Sequence, residues 1–162
     1  MATSLSDIQN ALERFHFLGL DKIELSNYTR KNLSVLLILR FFTDQLEFIN
    51  IAKNFLDIDY FRKLTQRMIF PPNSHGKLGG KSAGIFLARN LISAVTANEL
   101  HGIKIKFPQT WCITSDTMHR FLYYNNLEAI IEQKYKDIEQ VREEYPNIIQ
   151  LFKNSHYPPD IL

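Results

Sequence analysis

Apolar residues recur at helical spacing along most of the chain, beginning close to its amino terminus. The first positions that repeat at i, i+4 and i+7 are Ile8, Leu12 and Phe15. This period predicts a short amphipathic helix. Ser6 followed by Gln9 has the spacing of a capping box at the start of that helix, and Gly19 supplies a stop after it.

Residues 28–56 contain neither glycine nor proline, and their apolar positions also fit a helical period. Thr43 and Asp44 could either break this helix or cap a second segment, so the pattern predicts one long helix or two in tandem. Aromatic side chains recur at helical intervals here and just beyond, which predicts that they belong to the core. They are Phe41, Phe42, Phe48, Phe55, Tyr60 and Phe61.

A further helix is predicted over residues 60–69, "YFRKLTQRMI". Asp57 or Asp59 could cap its start. Pro71 and Pro72 would end it, because proline lacks an N–H donor and restricts the residue before it. The stretch that follows, "PPNSHGKLGG", is therefore a loop, and it separates an all-helical first part from a second part of different character.

After the loop, "KSAGIFLARNLISAV" predicts another helix. Its expected inward face consists of Ile85, Ala88, Leu91, Ile92 and Val95. The best strand candidate in the chain is "TWCIT", which is short and rich in residues that favour strands. Ser115 can then cap a helix. The residues expected on the inward face of that helix are Met118, Phe121 and Leu122.

From residue 127 to about residue 152 the pattern is again helical, with a break expected at Pro146. The whole pattern predicts a mainly α protein with a small β element, an α+β fold. Residues 1–70 form a helical subdomain in this interpretation, and residues 71–162 form a second unit.

Length, composition and charge narrow the class of protein. The 162 residues, 45% hydrophobic and 22% charged, are ordinary for one globular domain or for two small subdomains with a shared core. A formal net charge of +2 is too small to predict general nucleic-acid binding. However, residues 57–106 carry a local charge of +5 around the glycine loop, whereas residues 127–145 carry −3.

The single cysteine and the amino-terminal sequence indicate in which cellular compartment the protein is expected. Cys112 alone cannot form an internal disulfide or a CxxC metal pair, so we expect a reducing environment and a buried, inert thiol. The start "MATSLSDIQNALERF" lacks the features of a secretory signal. The longest apolar run, residues 35–39, is too short to span a bilayer. We therefore expect a cytoplasmic protein with no membrane partner.

Four of the six glycines lie in "NSHGKLGGKSAGIFLARNL", residues 73–91. Glycine lets main-chain N–H groups approach a ligand without a Cβ in the way, and such a loop at the start of a helix forms an anion site. The residues that fit this description are Gly79, Gly80, Lys81 and Ser82. The loop is therefore predicted to hold phosphate. Its spacing is not the GxxxxGK[ST] of a P-loop, and the alternative is that the glycines only turn the chain.

The remaining candidates have ordinary structural explanations. His75 could contact or accept a phosphate, but histidines in loops are more often simply solvated. The other histidines lack the HxxxH or HExxH spacing of a zinc site. Asp116 could bind Mg²⁺, although its place after Ser115 at a helix start is better explained by the helix dipole. No catalytic residue and no metal ligand is predicted.

The strings "GKLGGKSAGIFLARNLI" and "FPQTWCITSDTMHRFLYYNNLE", followed by "YPPDIL", resemble the start of the nucleotide-binding domain of phosphoenolpyruvate synthase and pyruvate phosphate dikinase. In this PEP/pyruvate-binding family a GGK turn opens a helix, and a strand ending in I-[TG]-[ST]-D leads into the next helix. Residues 75–162 follow that order. The preceding "FFTDQLEFINIAKNFLDIDYF" looks like a helical extension found in a bacterial subgroup.

The resemblance implies that residues 71–162 are the start of an ATP-grasp-like lobe. It implies that Lys81 contacts the phosphates of ATP and that Gly79 and Gly80 shape the turn, with Ser82 as a neighbour at the same helix start. The family's arginine segment, acidic Mg²⁺ cluster, phosphohistidine loop and pyruvate barrel are not in this sequence. We therefore expect the front portion of a larger kinase or dikinase that uses ATP and Mg²⁺, with no turnover by this chain alone.

Two functions from different classes remain open at this stage. In the first, the chain contributes the phosphate-binding turn of an ATP-dependent phosphotransferase. Its partners are then a nucleotide, the remaining domains of the parent enzyme and, as a candidate, a second copy of itself. In the second, residues 1–70 are the docking surface of a non-catalytic interaction or regulatory module, and the glycine loop is structural.

Overall fold

The structure of the chain is a computed structural model that describes residues 3–19, 25–94, 103 and 105–161. Its elements are helices and two very short strands. In chain order they are α1 Leu5–Phe17, α2 Asn27–Phe41, α3 Leu46–Ala52, α4 Ile58–Thr65, β1 Met68–Ile69, α5 Gly80–Ala94, β2 Cys112–Ile113, α6 Ser115–Tyr124, a 3-10 helix Glu128–Tyr135 and α7 Ile138–Asn154. The predicted class, mainly α with a small β element, is confirmed. None of the described helices is long and apolar enough to cross a membrane.

Helix α1 starts from a different serine than the sequence pattern predicted. Ser4 is the N-cap, because its hydroxyl accepts the N–H of Asp7 and donates to the Asp7 carboxylate at 2.7 Å. The box predicted between Ser6 and Gln9 is wrong, since the Gln9 amide donates to a main-chain carbonyl of α4 instead. Gly19 follows the helix with a φ of 67°, which confirms the predicted stop.

Residues 28–56 form two helices, the second of the two alternatives. The break lies at residues 42–45, between α2 and α3. Asp57, rather than Asp59, caps α4 by accepting the N–H of Tyr60 at 2.7 Å. Asp59 is used one turn later, in an ion pair with the ammonium of Lys63.

The two strands form a small parallel sheet that connects the two parts of the chain. Met68 aligns with Cys112, and Ile69 aligns with Ile113. The strand predicted in "TWCIT" is thus confirmed at its centre. The helix predicted over residues 60–69 is wrong at its end, because α4 stops at Thr65 and the residues after it pair with β2.

Helix α5 packs with a face that matches the predicted one only in part, since Leu91 packs against the core as predicted. Ile85 is 56% exposed and Ala88 is exposed as well. The buried residues are Ala83, Phe86 and Leu87. The ring of Phe86 lies 6.4 Å from that of Phe42, so an aromatic contact with the first part of the chain sets the rotation of this helix. Val95, also predicted on the inward face, lies outside the described residues.

One hydrophobic core joins α1 to α4 with the start of the second part of the chain. Its buried members from that second part are Leu78, Ala83, Phe86, Leu87 and Cys112. The predicted aromatic core is largely confirmed, since Phe41 and Phe61 are fully buried with ring centroids 5.6 Å apart. Phe55 is the exception, at 39% exposed.

The start of α6 also differs from the prediction. Thr114, not Ser115, occupies the N-cap position, and the Ser115 hydroxyl accepts the N–H of Lys77 at 3.1 Å. Of the residues predicted to face inward, Met118 is 48% exposed. The two that are buried are Phe121 and Leu122.

The predicted break at Pro146 is wrong, because α7 continues through this residue. The helical run is interrupted earlier, at residues 136–137, where the 3-10 helix ends. Proline removes one N–H donor from a helix. The residues around Pro146 are mostly exposed, so water can satisfy the carbonyl that loses its partner.

Candidate functional site

The first turn of α5 holds the residues predicted to bind phosphate. We call residues 79–82 the GGK turn. The first hydrogen bond of this helix runs from the N–H of Ala83 to the carbonyl of Gly79 at 3.1 Å. Among the described residues, no acceptor is bonded to the N–H groups of Gly80, Lys81 or Ser82. These donors are the ones that a helix start leaves open for a cap, water or a ligand.

Neither glycine of the turn is required by the fold itself. A Cβ built on Gly79 or Gly80 meets no described atom within 4 Å, and neither residue has a positive φ. Both residues are exposed. The space that a side chain would fill at these two positions is open to solvent.

Lys81 is exposed, and its ammonium forms no ion pair with a carboxylate in the described ranges. The first turn of α5 contains no acidic residue. The ammonium therefore adds its charge to the positive end of the helix dipole without internal neutralisation.

Ser82 differs from its neighbours because its side chain is used inside the fold. It is half-buried, and its Oγ accepts the thiol hydrogen of Cys112 at an Sγ–Oγ distance of 3.8 Å. Cys112 is buried, as expected for an inert thiol. What Ser82 presents at the helix start is its main-chain N–H.

The preceding residues, 74–78, are bonded at almost every main-chain group, and we call them the clamped segment. The N–H of Leu5 donates to the carbonyl of Ser74, and the N–H of Leu78 donates to the carbonyl of Phe41, both at 2.8 Å. Lys77 exchanges two bonds with Ser115. Helices α1, α2 and α6 therefore all hold this segment.

Asp116 makes the largest set of these contacts. Its Oδ2 accepts the hydroxyl of Ser74 at 2.7 Å and the N–H groups of His75 and Gly76 at 3.0 Å each. Its Oδ1 accepts the hydroxyl of Thr114 at 2.6 Å. Burial alone would raise the pKa of this carboxyl, but the four hydrogen bonds outweigh it and hold the pKa below its usual value. The carboxylate that could have been a Mg²⁺ ligand is thus occupied by the protein's own donors.

Arg40 of α2 also holds the clamped segment, through the carbonyl groups of that segment. Its Nη1 donates to the carbonyls of His75 and Gly76 at 3.3 and 3.0 Å. Burial lowers the pKa of this guanidinium, and the attraction of Asp116 partly offsets that effect. Its Nη2 is buried and has no hydrogen-bond partner in the described part of the chain. The guanidinium is thus fixed through Nη1, while its second terminal nitrogen stays without a hydrogen bond there.

Gly76 is the glycine of the loop that the fold requires. A Cβ at this position would lie 2.2 Å from Oδ1 and 2.7 Å from Cγ of Asp116, far inside van der Waals contact. The close approach of the main chain to the carboxylate is possible only without a side chain at residue 76.

Sequence reasoning missed Asp116 and Arg40 as partners of the loop. They contact residues that lie about forty positions away in the chain, and nothing in the local spacing marks such a pair. One signal was available, because a serine and a glycine that flank a histidine offer several donors and need an acceptor. The sequence does not say which carboxylate supplies it.

The GGK turn lies outside the two largest cavities that we describe. One, of about 400 Å³, lies between α4 and α5 and includes Tyr60, Arg67 and Arg89. The other, of about 560 Å³, is an open cleft beside Asp116 and Arg120. Among the described residues, no group of three or more His, Cys, Asp or Glu side chains is placed to hold a metal ion.

Comparison with known proteins identifies the second part of the chain. No curated relative and no solved structure matches it significantly. A family profile does match, and it is described as "Pyruvate phosphate dikinase, AMP/ATP-binding domain". The match covers residues 75–162, more than half of the chain, and includes the GGK turn, β2 and α6. The chain therefore belongs to the pyruvate phosphate dikinase AMP/ATP-binding domain family.

Proposed function

We propose that the chain binds the phosphates of AMP or ATP at the GGK turn. The N–H groups of residues 80–82 and the ammonium of Lys81 would contact the phosphate oxygens, and Gly79 and Gly80 would let them approach. The observation that carries this proposal is the openness of the turn. The described part of the fold uses neither the N–H donors of residues 80–82 nor the Lys81 ammonium, and it leaves the space beside Gly79 and Gly80 empty. The family to which the chain belongs is described as an AMP/ATP-binding domain.

The larger context is also a proposal. We propose that residues 71–162 begin an ATP-grasp-like lobe and that residues 1–70 are a helical subdomain packed against it. The parent would be an ATP-dependent phosphotransferase of the phosphoenolpyruvate synthase and dikinase type, in a reducing, cytoplasmic compartment. Further domains would supply the Mg²⁺ ligands and the phosphoryl acceptor, since phosphoryl transfer needs metal and several cationic groups around the transferred phosphoryl.

Titration calorimetry of MgATP into three forms of the chain tests this function. They are the wild type, Lys81→Ala and the matched control Lys77→Ala, which removes the same charge from the clamped segment. A charge-assisted hydrogen bond contributes about 1.5–3 kcal/mol, so Lys81→Ala should raise the Kd by about tenfold or more. Lys77→Ala should change it by less than about threefold. Equal affinities for the wild type and Lys81→Ala would refute the role of the turn.

A further inference from the structure

The Asp116 carboxylate joins α6 to the segment that leads into the GGK turn. It receives three hydrogen bonds from residues 74–76. We propose that Asp116 is a positioning residue, which holds the clamped segment so that the GGK turn meets the phosphates of a nucleotide in one fixed orientation. This proposal rests on the function proposed above.

Two of the three donors are consecutive main-chain N–H groups, those of His75 and Gly76. Consecutive N–H groups that converge on one point form a nest, a concavity that binds anions. In this protein the anion is an internal carboxylate, because Asp116 fills the nest and Gly76 leaves the room for it. A phosphate is therefore left with the donors of the GGK turn.

The connection between the nest and the GGK turn is short. Only Lys77 and Leu78 separate Gly76 from Gly79, and both are tied to other elements. Lys77 bonds to Ser115, the residue next to Asp116, and Leu78 is 3% exposed. If residues 75 and 76 lose their acceptor, only the contacts of Lys77 and Leu78 still hold the main chain before the turn, so the turn is positioned less firmly.

A fixed turn binds more tightly than a free one, because the ordering of a loop opposes association. The clamped segment removes this cost before the nucleotide arrives. Asp116 acts in this proposal without contacting the ligand, through the amides of residues 75 and 76. The substitution of Asp116 should therefore weaken binding and increase the motion of residues 79–82 at the same time.

The experiment uses ¹⁵N-labelled full chain in four forms. They are the wild type, Asp116→Ala, Asp116→Asn and the control Asp160→Asn. Asp160 pairs with Arg120 of α6 at 3.0 Å, so the control also removes one carboxylate bonded to this helix, but none from the loop. Heteronuclear NOE values of residues 79–82 report the order of the turn, and amide shifts during MgATP titration report the Kd. Ser74→Ala, which removes one donor only, replaces Asp116→Ala should that variant fail to fold.

We expect lower NOE values at residues 79–82 and a Kd raised about tenfold in Asp116→Ala. Asp116→Asn, which keeps the shape and loses the charge, should lie between this variant and the wild type, and Asp160→Asn should match the wild type. Unchanged order of the turn in folded Asp116 variants would overturn the proposal. So would a disordered turn that binds MgATP as tightly as the wild type.

This experiment and the calorimetry of Lys81→Ala together separate the two proposals. If Lys81→Ala binds MgATP as the wild type does, or if neither binds, the function proposed for the turn fails for this chain. The order of residues 79–82 still decides whether Asp116 positions the turn.

Discussion

The glycine loop consists of two neighbouring halves that differ in what contacts them. In the clamped segment, residues 74–78, main-chain groups bond to α1, α2 and α6, and Gly76 touches the carboxylate of Asp116. In the GGK turn, residues 79–82, a Cβ added to either glycine would meet no side chain or other segment within 4 Å among the described residues, and the first-turn donors are open. Glycine is thus required by the fold at residue 76, whereas at residue 79 it leaves open space beside the main chain.

The largest expected effect comes from adding a methyl group to the clamped half. Gly76→Ala places a Cβ 2.2 Å from Asp116 Oδ1, so the carboxylate or the main chain must move. We expect the free energy of unfolding to fall by about 2–3 kcal/mol. Urea unfolding of this variant beside Gly79→Ala measures the difference. Equal free energies of unfolding for the two variants would contradict the claim that the fold requires glycine at residue 76 but not at residue 79.

The link between α2 and the clamped segment should matter less. Arg40→Met keeps the apolar stem of the side chain but removes the donor to the carbonyls of residues 75 and 76. The expected loss is about 1–2 kcal/mol in the free energy of unfolding. Arg142→Met is the matched control, since Arg142 is exposed and, within the described ranges, forms an ion pair with Glu139 alone. A loss below about 0.5 kcal/mol is expected there. A larger loss in the control would show that Arg40 contributes nothing special.

Acid should loosen the clamped half through Asp116. The folded pKa of this carboxyl lies below its ordinary value of 3.8, so its contribution to stability is present above pH 3.8 and is lost as pH falls through the folded pKa. Asp116→Asn cannot titrate at this position. Between pH 5 and pH 3, the free energy of unfolding should therefore fall less steeply in Asp116→Asn than in the wild type. Parallel slopes, measured by urea unfolding at each pH, would contradict the assignment.

The smallest effect on stability is expected in the open half. Gly79→Ala adds a methyl group in open space, and the free energy of unfolding should change by no more than about 0.5 kcal/mol. Affinity for MgATP should nevertheless decline, because the added Cβ lies where a phosphate is proposed to approach. Thermal melting and calorimetry on the same sample test both statements. Unaltered affinity would mean that the open space at residue 79 is not used for binding.

The sequence predicted the parts of this site that depend on neighbours in the chain. The helix that begins at the GGK turn follows from local pattern, and so does the short strand at Cys112. The rotation of α5 could not be predicted, because it depends on the contact of Phe86 with Phe42 across the core. Nor could the cap of α1, because Ser4 bonds to Asp7 there and the Gln9 amide is used in a tertiary contact with α4.

The dependence on long-range contacts also explains why the sequence pattern marked the glycine loop but not the residues that hold it. A local pattern marks Gly79 and Lys81 because the glycines and the lysine of the proposed phosphate site lie within three consecutive residues. Arg40 and Asp116 reach the loop from α2 and α6, so only the folded chain brings them together. In particular, the distinction between Gly76 and Gly79 depends entirely on the position of one carboxylate.

The bonds from Leu5 and Phe41 to the clamped segment have a consequence for protein engineering. The family match begins at His75, yet the groups that hold Ser74 and Leu78 come from α1 and α2. Grafting residues 75–162 onto another scaffold would transfer the GGK turn without the contacts that α1 and α2 make to the segment before it. A transplant that starts at α1 and runs through the whole chain would keep these contacts and the shared core.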